Sequence, residues 1–201
     1  MRINRFTDTE MAQDFGRTLL SDSVVTLREL QEQDLPLLAA WWNDPEWAVV
    51  QQRTVKPRPE RPVTEMFADW SVNRPGDANC GFSIVTAQNS QLIGHVTLYG
   101  ASFMHRAAEC SILIGPEFTG RGYGPKALAL ILGYGFRELG LHRVGVKVHA
   151  YNRRAVRAYL KAGFVHEGTE RESIFRNGRF YDMLSLSMLS SDYFAGLAQT
   201  E

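Results

Sequence analysis

The chain has 201 residues, 44% hydrophobic and 22% charged, which suits one globular domain with a single core. Lys+Arg and Asp+Glu balance at 22 each, so no global field argues for nucleic acid or an anionic membrane surface. The two cysteines, Cys80 and Cys110, have neither CxxC spacing nor a neighbouring His cluster, so they read as buried thiols in a reducing cytoplasm, and no metal is expected.

Residues 1–22 form a polar N-terminal extension with scattered apolar positions, readable as an extra helix, a dimer arm or a partly disordered tail. They lack a signal-peptide core, and no stretch approaches the roughly 18 apolar residues of a membrane span, so a cytoplasmic location is expected. The main domain is expected over 23–190, with 191–201 as a tail. "VVTLREL" (24–30) alternates as a strand does. "DLPLLAAWWNDP" (34–45) predicts a short helix capped by Asp34 and stopped before Pro45. Three prolines and several cations make 51–62 a loop, and a helix follows over 63–73 with Met66, Phe67 and Trp70 on one side. "RPGD" (74–77) is a turn.

The period then changes. Segments 80–87, 91–100 and 107–115 read as three strands joined by short turns. A helix is predicted from Pro125 to Leu139, with Leu128, Ile131, Leu132, Gly135 and Leu139 as its core stripe and Gly140 as its stop. Residues 142–150 alternate again, Asn152 caps a helix ending at Gly163, and strands 164–175 and 179–189 flank an Asn177-Gly178 turn of the primed type. The order β-α-α-β-β-β-α-β-α-β-β implies an α/β (α+β) fold: one mixed sheet with helices on both faces.

Two stretches carry chemistry. "PEFTGRGYGPKALALIL" (116–132) places Gly120, Gly122 and Gly124 between a strand and a helix. Such a loop is either a glycine-rich turn or an anion cradle, in which loop and helix N–H groups face a phosphate. Its G-x-G-x-G spacing and late position do not match a dinucleotide fingerprint, and Lys126 after Pro125 does not match a P-loop. In "NRRAVRAYLKAGF" (152–164), Asn152 and Tyr159 lie two turns apart on one helical face. Alone they read as a cap and a core tyrosine. Arg153, Arg154, Arg157 and Lys161 read as a solvated cationic face.

Taken together, strand, "GRGYG", helix, strand and "N-x-x-A-x-x-x-Y-x-K-x-G-F" resemble the GNAT superfamily of acetyl-CoA-dependent N-acetyltransferases. Within it the chain looks most like the branch holding ribosomal-protein alanine and polyamine acetyltransferases. "HRAAECSILIGPEFTGRGYG", "AYNRRAVRAYLKAGF" and "EGTERESIFRNGRFYD" carry the likeness, which covers residues 24–189. It implies a mostly antiparallel central sheet of about seven strands. It implies that Ile112, Leu113 and Ile114 offer backbone groups to the pantetheine arm of acetyl-CoA. The loop Thr119, Gly120, Arg121, Gly122, Tyr123, Gly124 and Pro125 would wrap the pyrophosphate. Asn152 and Ala155 would contact the pantetheine portion, and Tyr159 would sit near the sulfur. Thr119 and Pro125 depart from the family's usual residues, which are Gln or Arg and Thr or Ser.

The implied reaction is direct acetyl transfer to a primary amine through a tetrahedral intermediate. Tyr159, protonated at neutral pH, is the candidate acid, and Glu109 is the candidate base or a rim carboxylate that attracts a cation. His105 and His149 are lesser candidates. No Ser/His/Asp or Cys/His pairing suggests a covalent acyl-enzyme. The acceptor signals conflict: Arg53, Lys56, Arg58 and Arg61 oppose a polyamine and suit a partly anionic or peptide acceptor, whereas the 103–110 stretch with Glu167, Glu170 and Glu172 favours a cation. The acceptor is expected to be an amine on a small molecule or a peptide or protein N-terminus, with polyamine- or aminoglycoside-specific transfer as an alternative. Other readings are a non-catalytic acyl-CoA-binding regulatory module of the same fold, and a nucleotide-phosphate protein of another fold, disfavoured because no acidic ribose partner is evident. A homodimer is expected by analogy with the branch.

Overall fold

The alternating segments pair into a seven-stranded sheet in the computed structural model, which describes residues 5–198. Strands β1 (Val25–Arg28), β2 (Cys80–Thr86), β3 (Leu92–Ser102) and β4 (Ala107–Ile114) form an antiparallel meander. Strands β5 (Arg143–His149), β6 (Val165–Arg176) and β7 (Arg179–Leu189) complete the order β1-β2-β3-β4-β5-β7-β6. The two halves meet at β4 and β5, a parallel pair among antiparallel neighbours. The hairpin turn follows the expected chemistry, with positive φ at both Asn177 (46°) and Gly178 (73°).

Helix α5 (Tyr123–Arg137) crosses one face of the sheet and buries Leu128, Ile131, Leu132 and Gly135, four of the five predicted stripe positions. The fifth, Leu139, lies beyond the helix and packs partly buried, next to Gly140 at φ +64°. At Gly135 a Cβ would stand 3.2 Å from Leu98 Cδ1, so the bare backbone lets helix and sheet approach closely. Helix α2 (Leu35–Asn43) and helix α4 (Glu60–Trp70) cover the opposite face. There Phe67 and Trp70 ring His95, whose Nε2 bonds Ser71 Oγ at 2.8 Å. Both cysteines are free and buried, and burial pushes each thiol up to about 12.

Three local expectations differ: the stop at Pro45, the start of the next helix and the capping role of Asp34. Pro45 does not simply end a helix: it begins α3 (Pro45–Gln51), with Asp44 as an N-cap accepting from Glu46 and Trp47 N–H. Helix α4 starts at Glu60, three residues before the predicted 63. Asp34 occupies the cap position but its carboxylate does not cap α2; it accepts from Gln31 N at 3.0 Å in the preceding turn, a bidentate bond from Arg28 at 2.7 and 2.8 Å, and one from Ser83 at 2.7 Å. The N-terminal extension contains α1 (Thr9–Leu19), whose Phe15 ring lies 4.6 Å from the Arg137 guanidinium of α5. Helix α6 (Arg153–Lys161) follows β5, and α7 (Ser190–Leu197) occupies most of the segment read as a tail. Among the described residues no helix is long and apolar enough to cross a membrane.

Candidate active site

Strand β4 keeps antiparallel contact with β3 from Ala107 to Ile114, but pairs with β5 only over Ala107–Arg143, Ala108–Val144 and Glu109–Gly145. Beyond that last pair the strands diverge, so the sheet opens into a V with its vertex at Glu109. The backbone edge of Ser111–Ile114 therefore has no neighbouring strand on one side. Side chains alternate along a strand. Cys110, Ile112 and Ile114 thus face α5, whereas Glu109, Ser111 and Leu113 face the side of α2 and α4.

A cavity of about 320 Å³ fills the V on the α5 face. Ile112, Ile114, Thr119, Gly120 and Gly122 line it, as do Tyr123, Gly124, Pro125, Asn152, Ala155 and Tyr159, so eleven of the predicted residues converge there. Three others do not border it. Leu113 is buried on the opposite face, consistent with a contribution through its backbone only. Arg121 is exposed, with its guanidinium 5.8 Å from the Phe118 ring centroid. Glu109 stands at the vertex on the other side of the sheet.

The glycine loop has the conformation its sequence suggests, for a sharper reason than absence of side chains. Gly120 and Gly122 have φ of +78° and +84°, a region L side chains rarely adopt, although a Cβ at either would meet open space. Gly124 has no such constraint; its nearest neighbour to a Cβ would be Ile114 Cγ1 at 3.7 Å. Gly122 is the N-cap of α5 and no side chain caps that end, so the first-turn N–H groups and the positive end of the helix dipole face the loop. Thr119 spends its hydroxyl on the Pro116 carbonyl, at 2.9 Å. Pro125 lies in the first turn, where its missing N–H leaves one donor fewer. An apolar channel ending on unpartnered amides suits a long acyl carrier with an anionic head, and the residues present fit acetyl-CoA.

Tyr159 projects from α6, only 7% exposed, with its ring 5.5 Å from Phe164. Burial, with Cys110 and Tyr99 nearby, raises its pKa above the ordinary phenol range, so it keeps its proton. Glu109 is half-buried, and burial raises its carboxyl pKa against the opposing pull of Arg143 and Lys147. Its side chain lies across Gly145, where a Cβ would collide with the carboxylate. Gly145 is thus a site residue that sequence reading missed; alone it looked like an ordinary strand glycine.

Asn152 does two jobs. Its Oδ1 accepts from Ala155 N at 3.2 Å, capping α6, and its Nδ2 donates to Val50 O at 3.1 Å. Tyr151 donates to Val49 O at 2.6 Å, and Arg176 to Gln52 O. These bonds satisfy carbonyls at the end of α3 that a helix terminus leaves open. They hold Trp47 and Gln51 against the cavity, with Gln51 Nε2 at 3.4 Å from Ile112 O on the free strand edge. Helix α3 was missed, although Asp44-Pro45, a capping residue before proline, is a helix-start signature. Of the lesser candidates, His105 is exposed in the β3–β4 turn. His149 is buried and bonds Tyr151 Oη through Nδ1 at 2.9 Å.

The fold and cavity define an acyl-carrier-binding α/β domain of the acetyltransferase type. A family model for the Acetyltransferase (GNAT) domain matches residues 25–165, and the chain belongs to that family. A spermidine N(1)-acetyltransferase of Vibrio cholerae is 37% identical over 110 residues, which are 55% of this chain and 64% of that protein. A putative ribosomal N-acetyltransferase of Bacillus subtilis, YdaF, is 27% identical over 128 residues, 64% of this chain and 69% of its own. In three dimensions the chain is similar to the Vibrio cholerae spermidine N-acetyltransferase crystallised with CoA and spermine. That match has TM-score 0.76 and 31% identity, covering 86% of this chain and 99% of the other. The chain thus falls with the polyamine and ribosomal-protein branch that its motifs resemble.

Proposed function

We propose that the protein is an N-acetyltransferase that moves an acetyl group from acetyl-CoA directly to a primary amine. One observation carries this reading: the sheet splits at Glu109, with a cavity-lining tyrosine on one face of the vertex and an unpaired carboxylate on the other. Acetyl-CoA would supply an activated thioester, held along Ile112–Ile114 with its phosphates at Gly120, Gly122 and the start of α5. Glu109, its pKa raised, is the group that takes the ammonium proton so that the amine becomes nucleophilic. Tyr159 Oη holds the proton that a departing thiolate requires. No acyl-enzyme is needed, because two groups on opposite sides of the vertex can divide the proton work. The relatives' names support an amine acceptor, and a homodimer remains an expectation from the branch.

Free-thiol release from acetyl-CoA over a panel of amines tests the reading, with calorimetry for donor binding. Tyr159→Phe and Glu109→Gln should each lower kcat by about 10²-fold or more while leaving donor affinity within a few-fold. Tight acetyl-CoA binding with no thiol release to any amine would favour the non-catalytic module instead.

A further inference from the structure

The charge arrangement beside Glu109 bears on the acceptor, and the argument rests on the acetyltransferase reading above. Gly145, Lys147 and His149 alternate along the same face of β5, with Glu109 lying over Gly145 at the vertex. From Gly145 to His149 this row runs about 13 Å at the usual rise of a strand. Three carboxylates on β4 and β6 stand beside it: Glu109, Glu167 and Glu170. Arg143 holds Glu167 in a bidentate pair at 2.6 Å for both bonds. Lys147 lies 2.5 Å from one oxygen of Glu170, and Arg53 lies 3.6 Å from the other. Among the described residues, Glu109 has no ion pair. At the far end of the row, Arg176 and Arg53 add positive potential, which together with burial lowers the pKa of His149.

Two of the three acids that seemed to favour a polyamine, Glu167 and Glu170, therefore already have their charge compensated by neighbouring cations. Glu172 sits apart, in the β6 bulge at φ +52°, its N–H bonded to the Asp182 carboxylate. One ammonium has a place, at Glu109. A second or third, a few methylenes away, would meet the trio Lys147, Arg53 and Glu170, which keeps one net positive charge, and Arg176 beyond it. A carbonyl or carboxylate in that position would instead be attracted.

We infer that the acceptor is a monoammonium amine with a carbonyl or carboxylate close to the nitrogen, that is, the α-amine of an amino acid or of a peptide. The amine sits at Glu109 and its carbonyl side extends along β5 towards Lys147, Arg53 and Arg176. Arg53 and Lys147 are then specificity-determining residues, and Glu170 is a polyamine-favouring carboxylate whose negative charge they compensate.

The test measures kcat/KM at saturating acetyl-CoA for alanine, a pentapeptide with a free amino-terminal alanine, spermidine and spermine. At least one α-amine should exceed both polyamines by about tenfold or more, and the comparison of alanine with the peptide separates the two sources. The double variant Arg53→Gln/Lys147→Gln, with its fold verified by circular dichroism, leaves Glu170 unpaired. It should raise kcat/KM for spermidine up to about fivefold, the range of an exposed ion pair, and lower it for the α-amine. Wild-type preference for spermidine, or a double variant with unchanged selectivity, would overturn the inference while leaving the acetyltransferase reading intact. No transfer to any of the four would overturn the inference, whereas the acetyltransferase reading falls only if the wider amine panel also gives no thiol release with acetyl-CoA bound.

Discussion

Gly145→Ala tests the vertex without replacing either proposed proton-transfer group. A Cβ at 145 would stand 2.8 Å from the Glu109 carboxyl carbon and 2.9 Å from Oε2. Nonbonded carbon atoms settle at roughly 3.5–4.0 Å, so the carboxylate must retreat by about 0.7–1.2 Å. The displaced atoms are the end of a flexible side chain, so stability should change by no more than about 1 kcal/mol. Misplacing a reacting group by about 1 Å can cost roughly 10²-fold in rate. The expected result is a kcat about 10²-fold lower, or lower by as much as Glu109→Gln if that is less, with donor affinity and thermal midpoint nearly unchanged. Stopped-flow thiol release, acetyl-CoA calorimetry and thermal unfolding read the three quantities. A Gly145→Ala enzyme with wild-type kcat would refute Glu109 as the base, because its carboxylate cannot remain in place.

Gly122→Ala should weaken acetyl-CoA binding and cost about 1–2 kcal/mol of stability through left-handed backbone strain, whereas Gly124→Ala should be mild, since a Cβ there has 3.7 Å to its nearest neighbour; calorimetry and denaturant unfolding compare them. Arg28→Ala should destabilise by about 3–5 kcal/mol, because it leaves the Asp34 carboxylate without its cation, in a pair whose side chains are 17% and 3% exposed; urea unfolding measures this. Burial lowers the His95 pKa from 6.5 to about 3, so between those values the unfolded chain binds a proton that the folded protein refuses. Stability therefore falls as pH drops below about 6.5, by about 2 kcal/mol between pH 7 and 5 from this residue. Unfolding of His95→Gln at the two pH values should show a drop smaller by that amount.

Much of the fold was legible because its signals are local. Alternation marked β1 and β5, short apolar runs between turns marked the other strands, Asn177-Gly178 marked the last hairpin, and Gly120, Gly122 and Gly124 marked a loop with exposed backbone. The α3 helix was lost because Asp44-Pro45 ends one helix and begins the next, and a seven-residue helix leaves little periodicity to detect. Asp34 was misread as a cap because its partners, Arg28 and Ser83, are chosen by tertiary packing. The acidic run at 167–172 suggested a cation site; only the neighbouring strands and loop show that Arg143, Lys147 and Arg53 have claimed two of its carboxylates.

Residue order by itself determined the strands, most of the helices, the glycine loop and the Asn152-to-Tyr159 helix, since each depends on backbone preferences within a few residues. The tertiary structure alone decided where β4 parts from β5. That register joins Glu109 to Gly145 across a helical crossover, and no local preference encodes it; it is set by which long-range pairings bury the most apolar surface on both faces of the sheet. The vertex it creates puts Tyr159 on one side and Glu109 on the other.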